Sequence, residues 1–199
     1  MGYISEGFRE AIRLLISFDK EIYSIVFLSL FVSTTATIIA SIICVPLGIH
    51  LGIKDFKGKR LFSRILYAFM SIPSVIVAIL LSRRGPLGKF ELLYTPKAMI
   101  IAQTLLVIPL ILGLNYSLAK NRGKAIEKVA ITLGAKRFDT ILLIIRELRV
   151  DLMVNIVTAF SRAISEVGAV MIVGGNIKGH TRVITTTISM MNSMGDYPM

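Results

Sequence analysis

Long stretches without any charged residue are the feature that most limits how this chain can fold. The four stretches are Ile22–Ile53, Ile65–Ser82, Ala98–Ala119 and most of Leu152–Ile177. A helix needs roughly 20 mostly apolar residues to cross about 30 Å of hydrocarbon. The composition agrees, since 54% of the 199 residues are apolar, 18% are charged and the mean hydropathy is +0.74. The sequence therefore predicts an all-α polytopic membrane protein with spans at about 22–52, 62–82, 98–119 and 150–175.

The segment before the first apolar stretch is amphipathic. Glu6, Arg9, Glu10 and Arg13 share one helical face, while apolar residues fall on another. Residues 1–21 are therefore predicted to form either an interfacial helix or an amphipathic turn packed on the protein, while residues 22–199 form the transmembrane domain. The acidic residues differ from the basic start of a secretory signal peptide, so we expect the first span to be retained as an anchor.

The net charge of +11 is distributed across the membrane rather than gathered in a nucleic-acid site. Thirteen Lys and Arg residues fall in the loops after the first and third spans, nine fall in the segments on the opposite side, and Arg162 lies within a span. The positive-inside rule places the two richer loops in the cytoplasm and the N-terminus outside. The distribution favours membrane lipid, not nucleic acid, as the surroundings of the basic residues.

The loop over residues 120–149 is predicted to contain two helices. Residues 125–133 contain no Pro or Gly and favour a short helix that ends at Gly134, a common residue just beyond a helix. A second helical stretch follows from Phe138 to Arg149. The small Ala130 and Gly134 suit close docking into a groove of another protein. By spacing alone, an ordinary amphipathic connector fits as well.

The segment Glu127–Ala135 resembles the EAA loop of ABC importer permeases, in which an acidic residue and two alanines precede a glycine. Ala130, Gly134 and, further on, Ile144 match the pattern, whereas Lys128 and Val129 depart from it. The resemblance implies a coupling helix that binds a cytoplasmic ABC ATPase subunit. The residues assigned to ATPase coupling on this ground are Glu127, Lys128, Val129, Ala130, Thr132, Leu133 and Gly134.

A second resemblance covers nearly the whole chain. The segments Ser161–Ile177 and Gly179–Thr186 are similar to the tungstate branch of the oxyanion permeases, as are three shorter pieces: Val45–Gly48, Ser82–Gly88 and Thr95–Gln103. This resemblance implies the type I, molybdate-permease-like helical bundle of ABC importers. It also implies a second permease copy in a homodimer and an extracytoplasmic oxyanion-binding protein as partners. The family has a fifth core span after Gly195-Asp196-Tyr197, so we expect the sequence to lack that span.

Two opposite charges lie in the predicted fourth span. Arg162 and Glu166 are four residues apart, so they share a helix face and are predicted to pair, because an unpaired charge in a bilayer costs at least about 2.5–3.5 kcal/mol. One interpretation is a purely structural bridge. The other is that Arg162 and Glu166, with Thr158, Ser161 and Ser165, line the translocation path of an anion.

The leading hypothesis is the permease subunit of an ATP-dependent oxyanion importer, most simply of tungstate, in a prokaryotic plasma membrane. Molybdate or sulfate are alternative cargoes, and an ATP-independent channel or scaffold is an alternative class. Motifs for hydrolysis or nucleotide binding are absent from the sequence, so we expect no enzyme activity, no cofactor and ATP hydrolysis on the partner. No metal site is expected either, since His50 and His180 are solitary and Cys44 is the one cysteine.

Overall fold

The computed structural model describes residues 19–71, 76, 79 and 92–194, which form helices joined by short turns, with no strand among them. Predictions for residues 1–18, for most of 72–91 and for 195–199 lie outside the described residues. The prediction of an all-α chain is confirmed. The elements are α1 (Lys20–Ile53), α2 (Lys59–Met70), α3 (Pro96–Leu118), a π-helical turn (Ala119–Gly123), α4 (Lys124–Thr132), α5 (Arg137–Glu147), α6 (Arg149–Ile164), α7 (Gly168–Gly174) and α8 (Ile184–Met194).

Two helices in the described part of the chain are long and apolar enough to cross a membrane by themselves. These are the 34-residue α1 and the 37-residue helix Pro96–Thr132, in which the π-helical turn joins α3 to α4. At 1.5 Å per residue the second is about 55 Å long, so it extends well beyond the hydrocarbon. The helix predicted over 125–133 is therefore the end of a membrane-spanning rod rather than a separate loop helix.

The predicted fourth span is broken. Helices α6 and α7 pass the length and hydropathy test together, but their axes differ by 55° across a break at residues 165–167. Ser165 and the following Gly168 lower helix propensity here, because the short serine side chain competes for backbone groups and glycine loses much conformational entropy on ordering. The predicted second span is represented by α2, and the remainder of 62–82 falls mostly outside the described residues.

Close contact between α1 and α3 forms the centre of the bundle. Gly48 and Gly52 lie one turn apart on the α1 face that contacts Asn115, Tyr116 and Ala119. A Cβ atom added at Gly52 would lie 2.7 Å from the carbonyl oxygen of Tyr116, so only glycine allows this approach. This is the small-xxx-small contact by which membrane helices gain van der Waals packing.

Helix α6 packs across the α1–α3 pair through a face of small and apolar residues. Ala159 and Ala163 are buried in a cluster with Ala40, Cys44 and Val107. Nearer the start of α6, the Nδ2 group of Asn155 donates a 2.8 Å hydrogen bond to Oδ1 of the buried Asn115 on α3. The opposite face of α6 is left exposed, and it carries the residues predicted to line the translocation path apart from the buried Glu166.

Candidate functional site

The short helix predicted to end at Gly134 does so through a Schellman cap. Gly134 has φ 81°, and its N–H donates to the carbonyl oxygen of Ile131 at 2.9 Å. The N–H of Ala135 donates to the carbonyl oxygen of Ala130 at 3.0 Å, which completes the pair of bonds that defines the motif. Glycine is favoured at Gly134 because side chains are strained at positive φ. The cap turns the chain sharply and leaves the end of α4 as a projecting tip.

The tip of α4 is apolar and exposed. Leu133 is 80% exposed, and Val129 and Ile131 are also exposed, together with the polar Lys128 and Thr132. We name these five residues the α4 tip. An exposed apolar surface at the end of a long helix is typical of a protein interaction site.

Ala130 and Glu127 do not lie on this tip. Ala130 is 1% exposed because it faces the rest of the chain, one turn after the half-buried Ile126, which packs against a core cluster. In the chain by itself Ala130 therefore presents no surface to another protein, and its assignment to ATPase coupling stays a prediction. Glu127 is half-buried and lines a 280 Å³ cavity between α4 and the end of α1, where Arg137 Nη2 lies 3.1 Å from His50 Nε2.

An ion pair joins the first residue of α4 to the loop between α1 and α2. Lys124 Nζ lies 2.8 Å from both carboxylate oxygens of Asp55. Lys59 Nζ lies 3.3 Å from Asp55 and also donates to the carbonyl oxygens of Gly52 and Lys54 at the end of α1. The hydrogen bond from Lys124, followed by that from Lys59, lowers the pKa of Asp55 below its ordinary value of 3.8. These contacts attach the base of the α4 tip to the end of α1.

Four of the five residues predicted to line a path lie on the exposed face of α6 and its C-cap, whereas the fifth, Glu166, is buried beyond the end of the helix. Thr158, Ser161, Arg162 and Ser165 follow at intervals of three, one and three residues and are all exposed. Val150, Met153, Val154 and Val157 continue the same exposed face towards the start of the helix. The face is thus apolar in its first half and polar in its second. We name the four polar residues the α6 polar face.

Two of the predicted hydroxyl donors already donate within the helix. Thr158 Oγ1 donates to the carbonyl oxygen of Val154 at 2.8 Å, and Ser165 Oγ donates to that of Arg162 at 3.1 Å. An anion at this face would therefore receive its hydrogen bonds from Arg162 and the Ser161 hydroxyl unless the other two hydroxyls rotated. The positive charge, more than the hydroxyls, characterises the α6 polar face.

Arg162 and Glu166 form the ion pair that the sequence predicts. Arg162 Nη1 lies 2.5 Å from Glu166 Oε2, and the Glu166 side chain is 5% exposed whereas that of Arg162 is 44% exposed. The other carboxylate oxygen, Oε1, accepts a hydrogen bond from the N–H of Ala169 at 3.2 Å in the first turn of α7. Glu166 therefore also caps the helix that follows the break.

Two further bonds hold the break between α6 and α7. Gln103 Nε2 on α3 donates to the carbonyl oxygen of Ala163 at 3.1 Å, and Thr185 Oγ1 on α8 donates to that of Glu166 at 3.0 Å. Such bonds are needed because backbone groups released by a broken helix have no water to pair with inside a bilayer. The sequence analysis did not identify Gln103 or Thr185 in this role. The feature of the sequence that could have indicated this role is a glutamine within an otherwise uncharged and mostly apolar span.

Arg162 also lines a cavity between α2 and α3. The cavity has a volume of 530 Å³, and its other described lining residues are apolar side chains together with Pro109. Arg162 is the one charged residue among them.

As for metals, the part of the chain that the structure describes contains no group of three or more His, Cys, Asp and Glu side chains that could hold an ion.

Comparison with known proteins identifies the family. Residues 44–199 match the model of the family described as binding-protein-dependent transport system inner membrane component. The chain is 68% identical over 203 aligned positions, covering 100% of this chain and 89% of the relative, to the tungstate uptake system permease protein TupB of Peptoclostridium acidaminophilum. It is 37% identical to the TupB of Campylobacter jejuni, covering 99% of this chain and 84% of that one.

A probable anion ABC transporter permease protein of Haloferax volcanii is 38% identical to this chain over 87% of it and 78% of the relative. The resemblance to ABC importer permeases that the sequence motifs indicate is confirmed by these matches. The chain therefore belongs to the family of inner-membrane components of binding-protein-dependent transport systems.

Proposed function

We propose that this chain is the membrane-spanning subunit of an ATP-driven importer of tungstate. Tungstate is proposed as the cargo because this chain is 68% identical, across its whole length, to a protein named as a tungstate uptake permease. The exposed Arg162 supplies the positive charge that a dianionic oxyanion needs.

The α4 tip is the proposed contact with a cytoplasmic ATPase subunit. Its exposed Val129, Ile131 and Leu133 project from a helix that continues without interruption into α3. A force on Leu133 would thus be transmitted along a rod rather than dissipated in a flexible loop. Ala130 and Gly134 support the tip, by packing against the rest of the chain and by the Schellman cap, and Glu127 lines the cavity between α4 and α1.

The α6 polar face is the proposed lining of the translocation path. A single copy leaves this face exposed, together with the apolar Val150, Met153, Val154 and Val157. A second copy of the chain opposite it would enclose the polar half and cover the apolar half. This supports a homodimer. The charge distribution supports an N-terminus outside, on the side where an extracytoplasmic binding protein would deliver the anion.

Capture of the ATPase tests the coupling proposal. The full-length chain, in detergent, is used to capture its purified ATPase, and Leu133→Arg is compared with Leu61→Arg, which alters another exposed leucine, on α2. Losing a buried leucine costs about 2 kcal/mol, so we expect at least roughly thirty-fold weaker binding for Leu133→Arg. Unchanged capture by Leu133→Arg would refute the assignment. Failure of the wild-type chain to bind any ATPase would favour an ATP-independent channel or scaffold.

The cargo is tested by competition. Uptake of labelled tungstate is measured in cells that express the complete transporter, with unlabelled tungstate, molybdate or sulfate added in excess. We expect tungstate to compete at the lowest concentration. Stronger competition by molybdate or sulfate would replace the proposed cargo without changing the class of protein.

A further inference from the structure

We propose that Glu166 weakens the binding of the passing anion, so that the α6 polar face attracts the oxyanion without holding it too tightly for release. This inference rests on the proposed function, because it concerns the oxyanion that would pass the α6 polar face. In this arrangement the fixed carboxylate of Glu166 cancels much of the attraction between Arg162 and a passing dianion. The anion is then attracted enough to enter and held weakly enough to leave.

The two members of the ion pair differ in how firmly they are held. Glu166 is buried, with one carboxylate oxygen on Arg162 and the other on the N–H of Ala169. Arg162 is 44% exposed, and within the described part of the chain its side chain makes one hydrogen bond, through Nη1. A guanidinium carries five N–H donors, so several remain on the exposed side. Arg162 can therefore contact an anion without releasing Glu166.

The charge balance follows from distance. An oxyanion about 4 Å from the guanidinium of Arg162 would lie roughly 7 Å from the carboxylate of Glu166, on the other side of the guanidinium. Because Coulomb energy falls as the reciprocal of distance, the repulsion by Glu166 cancels roughly half of the attraction by Arg162. The apolar lining of the 530 Å³ cavity beside Arg162 would otherwise strengthen the pull of an uncompensated cation. A conduction path requires sites that bind weakly enough to release their ion.

Glu166 also has a structural role as the cap of α7, and a test must separate this role from the effect of its charge. The cap on α7 needs an acceptor at Oε1, which the amide of glutamine retains at nearly the same size. Glu166→Gln therefore removes the charge while it leaves an oxygen for the N–H of Ala169. Asp151→Asn is the matched control, because Asp151 forms a similar pair with Arg122, at 2.6 Å, at the other end of α6.

The experiment measures equilibrium binding of tungstate to the purified permease–ATPase complex without the binding protein. We expect Glu166→Gln to bind at least ten-fold more tightly than wild type and to take up tungstate more slowly in the complete system. The double variant Glu166→Gln with Arg162→Gln should bind more weakly than wild type, because it also loses the half of the Arg162 attraction that Glu166 leaves uncancelled, and Asp151→Asn should match wild type throughout. Equal affinity of Glu166→Gln and wild type would overturn the proposal.

A second variant covers the case in which Glu166→Gln does not fold. Ser161→Lys leaves both members of the ion pair in place and adds an uncompensated cation to the same face, so it should also tighten tungstate binding and slow uptake. No gain in affinity for Ser161→Lys would overturn the proposal. Failure of the proposed function has a different signature, since the wild-type complex would then take up no tungstate even with its binding protein present.

Discussion

Replacing Gly52 by alanine is expected to force α1 and α3 apart. The added methyl group would lie 2.7 Å from the carbonyl oxygen of Tyr116 and 2.7 Å from Cβ of Ala119, whereas ordinary contacts begin near 3.4 Å. The backbone of α3 cannot rotate away as a side chain can, so the two helices must separate by about 0.7 Å. A gap of that size forfeits a quarter to a half of the dispersion energy of each affected contact.

The expected destabilisation is about 2 kcal/mol, within the 1–3 kcal/mol typical of an overpacked core. For a chain of this length that corresponds to a Tm lower by about 6 °C. The assay is thermal unfolding of the purified protein in detergent. Gly113→Ala is the control, because its new methyl group would meet only the flexible side chain of Met70. Equal Tm values for the two variants would refute the close-packing argument.

The remaining predictions concern polar contacts. Because the folded pKa of Asp55 is lowered, its ion pair with Lys124 stabilises the protein above the unfolded pKa of about 3.9 and is lost as pH falls through the folded value. Hydrogen-exchange protection factors around residues 54–59, which divide out the intrinsic pH dependence of exchange, should therefore fall below about pH 4 in wild type and in the Asp139→Asn control, with no such step in Asp55→Asn. Asn155→Ala removes a partner of Asn115 and should lower the free energy of unfolding by about 0.6–1.7 kcal/mol in denaturant titrations, while an unchanged stability would contradict that bond.

The sequence predicts the helical architecture well, because uncharged stretches longer than a membrane is thick leave few alternatives to spanning helices. Both α1 and α3 lie where the first and third stretches do. The end of α4 at Gly134 was also predictable, since glycine favours the left-handed residue that a Schellman cap requires. The Gly48–Gly52 contact could have been found from its spacing, which is the GxxxG pattern of packed membrane helices.

Other features depend on tertiary contacts that no local pattern contains. A spacing of four between Arg162 and Glu166 fits an unbroken helix equally well, yet Glu166 lies beyond the end of α6 and caps α7. The break is held by Gln103, which is about 60 residues away in sequence. The burial of Ala130 is similar, because a short helix offers several faces and its packing partners decide which one turns inward.

The most direct test of the account is ATP turnover by the reconstituted transporter. Wild-type chain, ATPase and binding protein are placed in proteoliposomes, and ATP hydrolysis is measured with and without tungstate. We predict that tungstate stimulates hydrolysis and that Leu133→Arg abolishes the stimulation while the ATPase alone keeps its basal rate. Tungstate-stimulated hydrolysis that persists at the wild-type level in Leu133→Arg would contradict the claim that the α4 tip couples ATP to transport.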